Sequence, residues 1–136
     1  KASVKENMGL KLLRDIIAEN EDKVIYITIA ATWCPGSRYE VPFQQGLAED
    51  YRNKPLRVVN LYLDNSSAGT NPFATDIETY HLTDEQRLGL DPILHTGRGI
   101  PFYILIDKDG VIVDFGEHLR PSSPETREII DKHIAL

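Results

Sequence analysis

An almost uninterrupted apolar run, Val24–Ala31, constrains the fold more strongly than any other feature of this sequence. The run is rich in β-branched residues, and a charged stretch precedes it. Such a run is typical of a strand buried on both faces, because helices cover both sides of the sheet to which it belongs. The sequence therefore predicts an α/β fold with this strand in its interior.

Helices are predicted on either side of this strand. Apolar residues recur at helical spacing from Gly9 onward, which predicts an amphipathic helix, and a second helix is expected over residues 38–53. Pro42 lies inside the second helix and predicts a kink there. Residues 56–63 form a second strand-like run, so the two strands should be parallel and joined by a right-handed crossover.

The second half of the chain predicts a helix, a hairpin and a closing helix. The segment Thr83-Asp84-Glu85-Gln86 has the pattern of a capping box, which marks the start of a helix. Residues 101–106 and 111–115 are strand-like and flank a turn signal, Asp107-Lys108-Asp109-Gly110, so they should pair antiparallel. A last helix is expected from Pro124.

These elements predict one domain with a central mixed β-sheet, flanked by helices on both faces and preceded by an N-terminal helix. The chain has 136 residues, an ordinary length for one domain. We expect residues 8–136 to form its core and residues 1–7 to be a linker or a trimmed end. We also expect an inserted, loop-like segment around residues 64–82.

Charge and residue spacing exclude several kinds of partner. The 15 basic and 21 acidic residues give a formal charge of −6, the wrong sign for general binding to nucleic acid or to an anionic membrane. The first residues lack the apolar stretch of a signal peptide, and we expect no direct membrane insertion of this segment. The histidines have no metal-ligand spacing, so no metal is expected, and no cofactor is expected either.

The single cysteine, Cys34, limits redox chemistry within this chain. One thiol can form neither an internal disulfide nor a Cys-x-x-Cys pair. Cys34 is expected at a turn between a buried strand and a helix, where the positive end of the helix favours a thiolate. The alternative is a buried cysteine that serves only as a small apolar side chain.

The segment Ala31-Thr32-Trp33-Cys34-Pro35-Gly36-Ser37 resembles the W-C-x-x-C motif of thioredoxin-fold proteins, with Ser37 in place of the second cysteine. Glu40 and Pro42 extend it to a pattern similar to C-x-x-C-x-x-E-x-P of the TlpA/ResA branch of extracytoplasmic thiol–disulfide oxidoreductases. Residues 99–110 resemble the G-x-P-x-x-x-x-I-D-x-x-G block of that branch. The resemblance spans the chain from Gly9 onward and is to domains of the Bacteroidetes type.

The resemblance implies a role for each matching residue. Cys34 would be the attacking thiolate and Ser37 would stand in the resolving position. Glu40 would accept a proton near the sulfur, and the alternative is an ordinary solvated helix glutamate. Pro101 would be cis and would present the backbone of Ile100 to an extended substrate, whereas an ordinary trans proline opening a strand is the alternative.

Three neighbours of the cysteine complete the expected substrate site. Trp33 would shield the thiolate and offer a flat apolar surface, and the alternative is a core aromatic residue. Pro35 and Gly36 are also expected to contact substrate. At Thr28, where thioredoxins proper carry a buried acid, this chain has none.

Ser37 has three open interpretations, because serine cannot attack a mixed disulfide. It is an engineered replacement of cysteine, or it belongs to a native one-cysteine enzyme resolved by an external thiol, or the domain has lost redox turnover and kept its groove. The expected activity is attack of Cys34 on a disulfide of a protein or small molecule, with a reductase as a further partner and an extracytoplasmic or periplasmic location. The alternative is a redox-inactive module that uses the Trp33/Pro101 groove to hold an extended peptide or an adjoining domain.

Overall fold

The computed structural model describes residues 6–64, 77–94 and 99–136, apart from the side chains of residues 93 and 94. Residues 65–76 of the inserted segment predicted around residues 64–82 lie outside the described part, as do residues 95–98. The helices of the described part are α1 (Met8–Glu19), α2 (Pro35–Asp50), α3 (Asp84–Leu94) and α4 (Pro124–Ala135). The strands are β1 (Val24–Ala30), β2 (Leu56–Tyr62), β3 (Glu78–His81), β4 (Phe102–Ile106) and β5 (Ile112–Phe115).

The strands form one mixed sheet in the order β3-β2-β1-β4-β5. β1 pairs in parallel with β2 and antiparallel with β4, and β3 continues the parallel side beyond β2. β4 and β5 form the predicted hairpin, in which the Asp107 carboxylate accepts the amides of Asp109 and Val111 at 2.9 and 3.0 Å. The expected mixed sheet with a buried central strand is confirmed.

Alternate side chains of β1 enter two separate cores, because neighbouring strand residues point to opposite faces. Ile25, Ile27 and Ile29 pack with residues of α1 and α3 on one face. Tyr26 packs on the other face with residues of α2 and α4. Every residue of β1 is buried, so helices cover both faces of the sheet, as the apolar run predicts.

Strand β3 was not predicted from the sequence. It has only four residues, Glu78-Thr79-Tyr80-His81, and none of them is fully buried. Its conformation depends on pairing with β2, in the register that places Val59 opposite Glu78. The segment has no apolar run or alternation of its own, so nothing local marks it as a strand.

Helix α2 begins earlier than predicted, at Pro35, and ends at Asp50. Proline is well suited to the first position of a helix, where its missing N–H would have had no helical partner. The helix continues through Pro42. The early start brings the whole segment after Cys34 into the first turn of α2, which decides the geometry of the site.

Helices α1 and α3 approach closely where Asn7 meets Gly89. Asn7 caps α1 by accepting the Leu10 amide at 2.9 Å, and its amide group donates to the carbonyl of Gly89 at 3.0 Å. A Cβ on Gly89 would lie 2.1 Å from the Asn7 side-chain oxygen. Gly89, which weakens α3 by propensity, is therefore required by packing.

The predicted capping box at the start of α3 is confirmed, since Thr83 and Gln86 exchange hydrogen bonds of 2.9 and 3.1 Å.

Strand β5 is the outer strand beyond β4 and carries several exposed apolar side chains. Its register shifts against β4 at Leu105/Ile106. The amide of Phe115 donates to the carboxylate of Asp114 at 2.8 Å, and the same oxygen lies 2.9 Å from Nε2 of His118.

None of the described helices is long and apolar enough to cross a membrane.

Candidate active site

Cys34 lies at the junction between β1 and α2. Its backbone is extended, with φ −81° and ψ 122°, and it occupies the capping position immediately before Pro35. The Cys34 amide donates to the carbonyl of Ala31 at 3.1 Å, which closes the turn. Only 9% of the residue is exposed, so the sulfur lies in a recess at the N-terminus of the helix.

The first turn of α2 stabilises the thiolate form of Cys34. Burial alone raises the pKa of the thiol, but hydrogen bonds from the amide and hydroxyl of Ser37 and from the amide of Gly36 outweigh that effect. The pKa of Cys34 is therefore lower than that of an ordinary cysteine thiol. Donors at a helix N-terminus stabilise an anion in this way.

The backbone before β4 faces the sulfur. Sγ of Cys34 lies 3.8 Å from the carbonyl oxygen of Ile100, and the Ile100–Pro101 peptide bond is cis. A Cβ on Gly36 would lie 3.2 Å from Cδ of Pro101 and 4.0 Å from Sγ. The two segments that the sequence motifs single out therefore meet at one point, with no room for a larger residue at Gly36 unless a neighbour shifts.

Trp33 lies on the surface beside this recess. Its side chain is 67% exposed, so the core-aromatic interpretation is wrong. The preceding residue is anchored, because the amide of Thr32 donates to Asp64 at 3.0 Å and its hydroxyl donates to the other oxygen of the same carboxylate. The turn is thus fixed to the end of β2 while the indole faces solvent.

Ser37 is buried below the sulfur. Only 5% of the residue is exposed, and its Oγ accepts the Ala31 amide at 3.4 Å. The hydroxyl therefore connects the end of β1 to the thiolate. Its oxygen has the place that the resemblance assigns to a second sulfur, but it acts here as a hydrogen-bond donor.

Glu40 is buried and held by a residue far along the chain. Its two carboxylate oxygens accept the amide and the hydroxyl of Ser122 at 2.8 and 2.7 Å. The interpretation of Glu40 as a solvated surface residue is wrong, since the residue is 7% exposed. Within the described part of the chain its hydrogen-bond partner is Ser122 and not Cys34. It joins α2 to the loop before α4.

A buried polar cluster beneath the site was missed by the sequence analysis. The side-chain amide of Gln44 donates to Thr28 at 3.1 Å and to Asn60 at 2.5 Å. Thr28 and Asn60 are directly opposite each other on β1 and β2. Two signals could have revealed the cluster: Ser37, Glu40 and Gln44 share one helical face, and Asn60 interrupts the apolar part of β2 that begins at Val58.

The described residues contain no group of three metal-ligating side chains. The reactive group at this site is the Cys34 thiolate, which lies beside its hydrogen-bond donors in α2 and the backbone of Ile100 and Pro101.

Comparison with known proteins agrees with this geometry. The sequence profile of the family described as Redoxin matches residues 16–132. The thiol-disulfide oxidoreductase ResA of Oceanobacillus iheyensis is 30% identical over 67 residues, which is 49% of this chain. The aligned part is 33% of that relative, so the chain matches about a third of its length.

Two solved structures of Bacteroides vulgatus proteins, both described as candidate thiol-disulfide oxidoreductases, are also similar. The crystal structure has 30% identity and a TM-score of 0.73, and the match covers 85% of this chain and 82% of the other. The solution structure has 31% identity and a TM-score of 0.70, and the match covers 88% and 78% respectively. The thioredoxin-like fold that the sequence predicts is confirmed.

Proposed function

Since the chain belongs to the Redoxin family and is related to thiol–disulfide oxidoreductases, we propose that it is a thiol–disulfide exchange domain in which Cys34 is the nucleophile. One observation carries this proposal: the sulfur of Cys34 lies at the N-terminus of α2 with donors from Gly36 and Ser37 that lower its pKa. A thiolate is the reactive form of cysteine. A cysteine with a purely structural role needs no such donors.

The proposed step exchanges one disulfide for another. The Cys34 thiolate attacks one sulfur of a substrate disulfide, a new S–S bond forms to Cys34, and the other substrate sulfur leaves as a thiolate. Ser37 carries no sulfur, so the chain has no second thiol to complete the cycle. An external thiolate attacks the mixed disulfide, takes up the bound substrate sulfur in a new disulfide and restores the Cys34 thiolate.

The substrate groove is proposed on both sides of the sulfur. Trp33, Pro35 and Gly36 are exposed beside Cys34, and Ile100 and Pro101 approach it from the other side. An extended peptide that carries a disulfide would bind the backbone near Ile100 and pack against the indole of Trp33. Small disulfides would reach the sulfur through the same opening.

Glu40 is proposed to influence protonation at the site from below. It lies in the second turn of α2, on the same face as Ser37, and its carboxylate is buried. A negative charge in a poorly solvated place acts on nearby titrating groups over several ångströms. Its bonds to Ser122 fix where that charge lies.

The proposed partners are a protein or small-molecule disulfide and a reducing thiol or reductase. An extracytoplasmic or periplasmic location is part of the proposal and is based on the resemblance to the TlpA/ResA branch. A thiol–disulfide exchange domain is useful in such a compartment because disulfides persist there.

A single-turnover experiment tests the proposal. The reduced protein is mixed with an aromatic disulfide whose leaving thiolate absorbs light, and released thiolate is counted against chains over a range of pH. We expect one thiolate per chain, and repeated turnover only after a small-molecule thiol is added. Cys34→Ser is the control for background reaction and should release none.

The alternative hypothesis, a redox-inactive binding module, predicts the opposite results. Its cysteine would be alkylated only above about pH 8, as an ordinary thiol is, and it would form no mixed disulfide. Ser37→Cys provides a second test, because restoring the second thiol should allow turnover with a supplied reductant. Failure of both tests would overturn the proposed function.

A further inference from the structure

A small cavity lies inside the domain, and Ser37 is one of the residues that line it. Glu40, Gln44 and Tyr103 also line it, so it is bordered by α2 on one side and by the sheet on the other. Its volume is about 10 Å³, which is at the lower limit for a single water molecule. A cavity of this size holds no more than one water, and since most of its wall is apolar, that water would depend on the few polar side chains in the lining.

The hydroxyl of Tyr103 needs a partner in this place. The residue is completely buried, and among the described residues its Oη has no hydrogen-bond partner. Tyr26 stacks on Tyr103 with ring centroids 6.1 Å apart, but the hydroxyl of Tyr26 donates to the carbonyl of Leu119. A buried hydroxyl without a partner is costly, so buried polar groups are almost always paired with protein or with ordered water.

The carboxylate of Glu40 has unused capacity to accept hydrogen bonds. An ionised carboxylate offers about four acceptor positions, and Ser122 occupies one on each oxygen. The amide hydrogens of Gln44 are already directed to Thr28 and Asn60. Burial first and the Glu40 charge second raise the pKa of the Tyr103 hydroxyl, so Tyr103 keeps its proton and remains a donor.

We propose that one buried water molecule occupies this cavity and bridges the Tyr103 hydroxyl to the Glu40 carboxylate. The hydroxyl donates to the water, and the water donates to a carboxylate oxygen. Tyr103 is thus a positioning residue, which holds the Glu40 side chain under Ser37 from the sheet while Ser122 holds it from the loop. The bridge itself is independent of chemistry at Cys34, and its consequence for the reaction rests on the proposed function.

Nuclear magnetic resonance tests the bridge on the unmodified protein. We expect a water-to-ring nuclear Overhauser effect at Tyr103 with the sign of a long-lived bound water. We also expect the carboxyl carbon resonance of Glu40 to move in Tyr103→Phe and to keep its position in Tyr26→Phe. The second variant is the matched control, because it removes a buried hydroxyl whose partner is Leu119.

A double-mutant cycle provides the second readout. Tyr103→Phe should raise the equilibrium constant of unfolding. The factor by which it does so should be at least about threefold smaller in a protein that already carries Glu40→Gln. Tyr26→Phe should have the same effect in both backgrounds. Absence of the water contact at Tyr103, or additivity of Tyr103→Phe with Glu40→Gln, would overturn the bridge. Neither readout uses a disulfide substrate, so failure of the proposed function would leave both measurements interpretable.

Discussion

Hydrogen bonding by the hydroxyl of Ser37 lowers the pKa of Cys34, three residues earlier. A serine in this position has the opposite effect on the cycle from a cysteine. In the proposed reaction it would stabilise the attacking thiolate, yet it could not release a substrate sulfur from Cys34. Under the proposed function, the chain would form a mixed disulfide and retain it until an external thiol attacks it.

Ser37→Ala should raise the pKa of Cys34. The substitution removes the hydroxyl donor and leaves the amides of Gly36 and Ser37 in place, so part of the stabilisation should persist. We expect slower alkylation of Cys34 at neutral pH and a pH midpoint displaced upward. Ser123→Ala is a suitable control, because Ser123 is also buried but its side chain caps no helix amide. An unchanged midpoint in Ser37→Ala would contradict the role of the hydroxyl.

Folding stability should depend on pH through Cys34. Its folded pKa is lower than its unfolded value, so the unfolded chain binds more protons between the two values and the stability gain grows with pH. The gain is complete above the unfolded pKa of about 8.5 and is lost as the pH falls through the folded pKa. Urea unfolding of the protein and of Cys34→Ala measures it. The free energy of unfolding of the protein, relative to that of Cys34→Ala, should increase from about pH 6 to about pH 9. A difference that stays constant over this range would refute the expectation.

Gly36→Ala should narrow the approach to the sulfur. The new Cβ would lie 3.2 Å from Pro101 and 4.0 Å from Sγ, so we expect reaction with a protein disulfide to slow more than alkylation by a small reagent. Gly46→Ala is the matched control on the same helix, because its Cβ would meet nothing within 4 Å. It should stabilise α2 by about 0.5–1 kcal/mol and leave both rates unchanged. Equal slowing of both reagents in Gly36→Ala would argue against a steric effect.

Gln44→Leu should destabilise the domain by about 1–3 kcal/mol, because Thr28 and Asn60 would lose the donor that they share in a buried place. The neighbouring Gln45→Leu tests the same chemical change at an exposed position and should alter the free energy of unfolding by no more than about 0.5 kcal/mol. Chemical unfolding curves of the two variants give the comparison. Similar values for both would mean that the cluster contributes little.

Local patterns predicted most of the fold, because its central strands and helices depend on burial that shows directly in the sequence. Val24–Ala30, with every residue buried, needs no partner to be recognised as an interior strand. The hairpin at Asp107–Gly110 and the capping box at Thr83 are likewise encoded within a few residues. Glu78–His81 is a strand only because β2 is beside it, and no local pattern records that.

The residues of the site also differ in whether the sequence predicts their positions. The position of Cys34 before α2 follows from the strand-to-helix order, and the proximity of Ile100 follows from the family motifs. The burial of Glu40 depends on Ser122, which is 82 positions away in sequence. Gln44 was overlooked because its partners are on two different strands, and a glutamine on a helix is more often solvated. Contacts of this kind become visible only when the tertiary structure is known.

The carboxylate of Asp114 has a consequence for how molecules of this protein meet one another. Among the described residues, β5 forms one edge of the sheet, and Val111, Ile112, Val113 and Phe115 are exposed there. A sheet edge of this type is a surface on which strands of separate chains can pair into aggregates. By accepting the Phe115 amide, Asp114 withdraws one donor from any incoming strand, and the register shift against β4 bends the row of remaining groups. The edge at β5 thus exposes apolar side chains, but its backbone groups are not regularly spaced for hydrogen bonding to a strand of a second chain.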